Sequence, residues 1–277
     1  MTMPKVLEIH SHSTTSDGAY DPQRMAQLMA EHGVELWSLT DHDSVDGCEK
    51  AAKAAREEGV EFVSGIEISA DLEGDSIHVL GYGIDIEMER FRQFGREMVV
   101  ARRRRMEAMV ERMGELGYPV EMEVVREQAG GGNMGRPHLA KALVEVGHAE
   151  KLQETFDRWL HDGGPGYVPL TRPTVEESIE MIRAAEGLVV LAHPGRYRDL
   201  TNYMEGWRDA GLWGLEVRHP SHSTEEEHRL VELADRFGFG KTASSDWHGH
   251  KPGAVERLGE VVFPTSWREE FLEALKF

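Results

Sequence analysis

The sequence predicts an α/β protein built on a largely parallel sheet or barrel, interrupted by a helical insertion over residues 95–171. Short aliphatic runs alternate with capped helical stretches over the first 85 or so residues, and the same alternation returns near residue 172. Between them the chain is helical and rich in Arg and Met. Residues 1–94 and 172–277 are thus read as the two parts of one α/β unit, and 95–171 as an inserted helical subdomain.

Residues 6–9 form the first predicted strand, which stops at His10. Asp21 is placed to cap a helix with Pro22 at its first position, where the missing N–H is no loss, and Gly33 closes it. Strand 36–39 and helix 51–58, ended by Gly59, come next. A third strand, 62–66, leads to Glu67 at its end, and a fourth covers 77–80. One long helix is expected over 87–117, then a glycine loop at 130–132 and helical segments over 137–147 and 151–160. Thr174 and Glu177 have capping-box spacing, opening a helix that ends near Gly187. Strands 188–192, 215–217 and 242–244 follow, with a second capping box at Thr224 and Glu227.

Forty per cent of the 277 residues are hydrophobic, enough for a sizeable core, and no apolar run could span a membrane. A cytoplasmic protein is the expectation. The single Cys48 excludes an internal disulfide and a cysteine-based zinc cage. A net charge of −19 argues against an extended nucleic-acid-binding surface, though not against an anionic ligand in one locally cationic cleft.

The polar residues at the strand ends form a pattern. His10 and His12 close the first strand, with Asp17 just after; His42 follows the second; Glu67 ends the third; His78 lies within the fourth; His193, Asp246 and His248 follow later strands. Ligands of parallel α/β folds gather at the carboxyl ends of strands, so six imidazoles and three carboxylates converge on one rim. A lone strand-end histidine is more often a hydrogen-bonded core residue than a ligand; nine such groups in register point to a metal site. Imidazole and carboxylate without thiolate suit manganese, zinc or iron. His32, His148, His161, His228 and His250 fall at helical or exposed positions and receive no role.

The motifs H-S-H-S-T-T-S-D-G at 10–18, T-D-H-D at 40–43, G-I-E-I-S at 65–69, I-H-V-L-G at 77–81, A-H-P-G-R at 192–196 and S-D-W-H at 245–248 resemble the PHP (polymerase and histidinol phosphatase) family of phosphoesterases. The resemblance spans nearly the whole chain and implies a distorted (β/α)7 barrel with cations at its C-terminal mouth. The insertion is similar to that of the branch holding nucleoside 3′,5′-bisphosphate phosphatases and RNase AM-like 5′→3′ exoribonucleases, through Arg102-x-Arg104-x-Met106, Arg136-x-His138 and Gly166-Tyr167-Val168. Glu8 departs from the aspartate usual in the family. By this resemblance His10, His12, Glu67 and Asp246 hold one cation, Asp17, His42 and His248 a second, and Glu67, His78 and His193 a third. Two or three divalent ions are implied, manganese foremost.

The expected reaction is hydrolysis of a nucleotide phosphate monoester, the 3′-phosphate of a nucleoside 3′,5′-bisphosphate, by a hydroxide bridging two cations. His222 is a candidate acid for the leaving oxygen. Arg102, Arg104, Arg136 and Arg196 are candidate phosphate donors, although the successive arginines 102–105 lie on one helix and at most two of them can face one cleft. His138 belongs to the same element, and Tyr167 is a candidate to stack on a base. Three alternatives stay open: a 5′→3′ exoribonuclease on short 5′-phosphorylated RNA, a histidinol-phosphate-type phosphatase, and a non-catalytic metal- or nucleotide-binding module.

Overall fold

A computed structural model describes residues 6–130, 134–250, 253–255 and 257–275. Gly131 and Gly132 of the predicted glycine loop lie outside the described residues. In chain order the barrel's first part contains β1 (Val6–Glu8), α1 (Pro22–Glu31), β2 (Val34–Leu39), α2 (Cys48–Glu58), β3 (Glu61–Leu72) and β4 (Asp75–Tyr82). Then come α3 (Glu89–Glu115), α4 (Met122–Ala129), α5 (Arg136–Glu145) and α6 (Leu152–Thr155), which runs into a π-helical turn, Phe156–Leu160. The second part holds α7 (Val175–Ala184), β5 (Leu188–Leu191), α8 (Met204–Ala210), β6 (Gly214–Arg218), α9 (Thr224–Phe237), β7 (Gly240–Ala243) and α10 (Thr265–Ala274).

The strands form one seven-stranded sheet in sequence order. All neighbours are parallel except β4, which runs antiparallel to both β3 and β5. The sheet curls so that its ends meet beyond β1 and β7: Trp247 N–H donates to the His10 carbonyl (3.0 Å) and His12 N–H to the Trp247 carbonyl (2.8 Å). Glu67 does not end β3, as the alternation had suggested, but lies at its middle. The strand continues into a two-residue hairpin, where Glu73 (φ 54°) and Gly74 (φ 95°) both take left-handed conformations. Such a turn matches the twist of antiparallel strands and keeps Glu67 paired on its ladder.

Thr174 and Glu177 form the expected capping box on α7, whereas the second box is one residue earlier, Ser223 with Glu226. The long helix α3 is shared between two cores. Phe91, Phe94 and Met98 pack with β3, β4 and α7, while Met106, Met109 and Met113 pack with α4, α5 and Trp159. Each fully buried side chain of this size contributes roughly 1.5–3 kcal/mol. Between the stripes, Arg102 and Arg105 occupy the inward face. Among the described residues, no helix is long and apolar enough to cross a membrane.

Candidate metal centre

Alternation along β1 and its extension turns His10 and His12 to the same side, into the mouth of the barrel. They meet Glu67, which is wholly buried and surrounded by imidazoles. Glu67 Oε1 lies 3.2 Å from His10 Nε2, 2.9 Å from His78 Nδ1 and 3.3 Å from His193 Nε2. Its Oε2 lies 3.3 Å from His12 Nε2 and 2.8 Å from His42 Nδ1. Asp246 Oδ1 approaches His10 Nε2 (3.3 Å) and His12 Nε2 (3.1 Å), and Asp17 Oδ1 approaches His248 Nε2 (3.3 Å). All nine residues singled out in the sequence therefore converge. They fall into three donor groups: His10, His12, Glu67 and Asp246; His12, Asp17, His42 and His248; and His42, Glu67 and His78. His193, expected beside Glu67 and His78, touches Glu67 but stands outside these three groups.

The donor set fits cations. Buried His10 Nε2, His12 Nε2, Glu67 Oε2, Asp17 Oδ1 and Asp246 Oδ1 have no hydrogen-bond partner, although imidazole nitrogens and carboxylate oxygens face one another there at 2.8–3.3 Å. Donors about 2.1 Å from a shared cation stand roughly 3–3.4 Å apart, so close but misaligned contacts are the expected signature. Asp43 (φ 54°), His193 (φ 31°) and Asp246 (φ 52°) are held in the left-handed region, a strain of about 1–3 kcal/mol each that clusters at this mouth.

Electrostatics follows the same geometry. Burial pushes the Glu67 carboxyl up, but His42, His78 and His10 hold it well below the usual range. Asp17 and Asp246 are likewise depressed by facing imidazoles against the effect of burial. Burial pulls His12 down, yet Asp246 and Glu67 bring it up to about 10. In the metal-free chain, His12's contribution to stability is complete below its unfolded value near 6.5 and fades as pH rises through about 10. The depressed carboxylates contribute fully above about 4 and lose their share on acidification. Burial, conversely, lowers His138 and His193 to about 4, which costs stability as pH falls below 6.5, so the melting temperature in chelator should peak near pH 6.5 and decline on either side. A profile rising steadily to pH 9 would contradict this balance.

Several residues the sequence reading missed support the donors. Glu216, buried on β6, accepts from His10 Nδ1 (2.9 Å) and from His193 N–H (2.8 Å), fixing a ring and a backbone at once. A carboxylate inside the apolar run Leu215–Val217 was the available signal. Glu8 accepts from Ser245 Oγ (2.6 Å) and from Ser244 Oγ, tying β1 to the segment before Asp246. Tyr197 Oη accepts from His78 N–H (2.9 Å) and meets His193 Nδ1 (3.0 Å). His219 takes Ser221 N–H on Nδ1 (3.0 Å), so its Nε2 carries the proton, 3.6 Å from Asp246 Oδ2.

A cleft of about 310 Å³ opens from the donors towards the insertion. Arg102, Arg136 and Arg196 reach it as expected, and so do Arg105 and Arg172, which the sequence reading passed over. Arg102 is neutralised by Asp43, with Nε 3.0 Å from Oδ2, and also donates to Ser69 Oγ (3.0 Å). Arg136 donates to the Leu160 carbonyl (3.1 Å) and to Asp162 (2.9 Å). Arg105 donates to the Val168 carbonyl (2.6 Å); burial and the nearby Arg136 lower it to about 10. Arg104 does not face the cleft: it is exposed, in a surface groove with Arg96 and Glu97, because the helical phase that turns 102 and 105 inward turns 104 out. His138 is buried as a cap, its Nδ1 accepting from Gly135 N–H (2.9 Å). Tyr167 carries the Arg105 and Arg136 guanidiniums at 5.2 and 5.4 Å from its ring. His222 lies outside the cleft lining with both nitrogens engaged: Nδ1 donates to the Val217 carbonyl (2.8 Å) and Nε2 accepts from Gly195 N–H (3.1 Å).

Comparison with known proteins agrees with this geometry. The family model for the PHP domain matches residues 8–106. The chain is 33% identical to a 3′,5′-nucleoside bisphosphate phosphatase of Chromobacterium violaceum, over 95% of each chain. It is 31% identical to the 5′-3′ exoribonuclease Rnm of Escherichia coli, over 88% of this chain and 85% of that one. Among solved structures, a Bifidobacterium adolescentis chain assigned as a metal-dependent phosphoesterase superposes with a TM-score of 0.87 at 32% identity, covering 98% of this chain and 96% of that one.

Proposed function

This chain belongs to the PHP-domain family of metal-dependent phosphoesterases, and from that premise we propose that it removes the 3′-phosphate of nucleoside 3′,5′-bisphosphates. The observation that carries the reading is one cleft shared by the imidazole–carboxylate cluster and by five guanidiniums, Arg102, Arg105, Arg136, Arg172 and Arg196. A monophosphate is served by the cluster alone; the arginines suit a second phosphate on the same molecule. This weighs against a histidinol-phosphate-type substrate. The full set of nine donors weighs against a non-catalytic module.

In this reading His10, His12, Glu67 and Asp246 hold one divalent cation, and Asp17, His42 and His248 a second. Glu67, His78 and His193, with His42 at hand, flank a third. Manganese suits the donors best, with zinc and iron sharing them. The chemistry such cations supply is Lewis acidity at phosphorus and activation of water near neutral pH. The chain's own part is positioning. Arg105 and Arg172, which make contacts to carbonyl and hydroxyl oxygens, orient the second phosphate. Arg196, 3.9 Å from Asp246, screens charge at the phosphoryl end. Arg102 is a strut that seats the insertion on Asp43 and Ser69. The insertion, residues 95–171, then acts as the substrate-binding part, with the barrel parts 1–94 and 172–277 as the catalytic one.

The Rnm similarity supports a second reading, stepwise removal of nucleotides from a short 5′-phosphorylated RNA, since that end presents the same second phosphate. The test is product release from adenosine 3′,5′-bisphosphate and from such an RNA, with manganese added. Wild type should release phosphate from the bisphosphate, and Asp246→Ala should release at least about a hundredfold less. Trimming of the RNA alone would move the assignment to the exoribonuclease. Inactivity on both, with metal bound, would end the nucleotide reading.

A further inference from the structure

We infer that Phe156 is the platform on which the nucleobase stacks, so that the cleft selects nucleotides over base-free sugar phosphates; this rests on the bisphosphate reading above. Among the described residues that line the cleft, Phe156 is the only Phe, Tyr or Trp. With Pro137 and Leu170 it makes the apolar part of a wall that is otherwise charged or polar. The two phosphates of the substrate are matched by the donor cluster and by the arginines. The remaining part of a nucleotide is planar, uncharged and apolar on its faces, which is what this wall suits.

The ring is anchored for that role. Phe156 opens the π-helical turn, and its carbonyl accepts both His161 N–H (3.1 Å) and His161 Nδ1 (2.9 Å). Trp159 and Leu160, in the same turn, are buried in the insertion core, while Phe156 is half-buried at its edge. Wide turns of this kind recur at functional sites. The rival platform, Tyr167, already carries two guanidiniums on its ring and meets Arg172 Nη2 through its hydroxyl (3.4 Å). A cleft of about 310 Å³ lies at the lower end of the range for small-molecule sites, the scale of one nucleotide.

The experiment compares kcat/KM for adenosine 3′,5′-bisphosphate and for 1-O-methylribose 3,5-bisphosphate, in wild type, Phe156→Ala and Phe156→Trp. Stacking of a base on an aromatic ring implies a wild-type preference for the nucleotide of about tenfold to a hundredfold. Phe156→Ala should bring the ratio close to one, chiefly through KM, while Phe156→Trp keeps it. Poor folding would lower both rates and leave the ratio standing. An unchanged ratio in Phe156→Ala overturns the inference, as does a wild type that cleaves both compounds equally well. A wild type that cleaves neither overturns the bisphosphate reading itself.

Discussion

Replacing Glu67 with alanine is expected to lower turnover by at least about a thousandfold and to strip the protein of most of its metal. Among the described residues, no other side chain in the mouth serves so many partners: five imidazoles lie within 3.3 Å of its two oxygens. Without that carboxylate, His10 and His42 lose a charge that raises their affinity for protons, and the cations lose the anionic donor common to two of the three groups. Glu67→Gln is the sharper variant, since it preserves volume and one carbonyl oxygen and removes only the charge. Metal content by mass spectrometry and turnover by phosphate release should fall together in both. Near-normal turnover in Glu67→Gln would sink the assignment of Glu67 as a shared ligand.

Glu216→Ala should produce the second largest effect, although this carboxylate reaches no cation in the assignment above. It is fully buried, where burial raises its pKa but His10 draws it below the usual range. Removing it leaves His10 Nδ1 and His193 N–H without their acceptor. The loss of a buried charged partner costs about 3–5 kcal/mol, roughly 6–20 °C in melting temperature for a chain of this size. Because the carboxylate orients His10, metal affinity should weaken by about ten- to a hundredfold as well. Glu216→Gln, which still offers an acceptor to His193 N–H, should recover part of the stability and less of the affinity. An unaltered manganese dissociation constant in Glu216→Ala would reduce its role to stability alone.

The histidine–carboxylate cluster at the barrel mouth was legible in the sequence because its residue types stand at or near strand ends. His10, His12, His42, His193 and His248 could be placed there from the alternation of apolar runs alone. What the alternation could not supply was direction. Residues 77–80 read as one more strand of a repeating unit, yet β4 is antiparallel, and the sign was the Glu73–Gly74 turn beside it. Arg104 was chosen over Arg105 because motif spacing decided between them; helical phase limited how many could face the cleft but was not referred to the buried methionines. Arg105 stands four residues before Met109 and seven after Met98, on the buried stripe of α3. Glu216 and His219 were passed over for another reason: the apolar run around Glu216 marked a buried carboxylate, but its partners, His10 Nδ1 and His193 N–H, come from distant parts of the chain, as does the Asp246 that His219 faces. His222 was chosen on composition, and a polar loop suggests reactivity where the structure uses both nitrogens to hold backbone.

The helix α3, anchored in two cores at once, bears on how such an enzyme can be taken apart. A graft that moved residues 95–171 between scaffolds would saw through this beam near its waist. The recipient would inherit Met106, Met109 and Met113, while Phe91 stayed behind on the donor and lost the continuous rod that keeps it seated. Exchange of specificity between scaffolds is therefore better attempted by replacing side chains along the inward face of α3 than by transplanting the module whole.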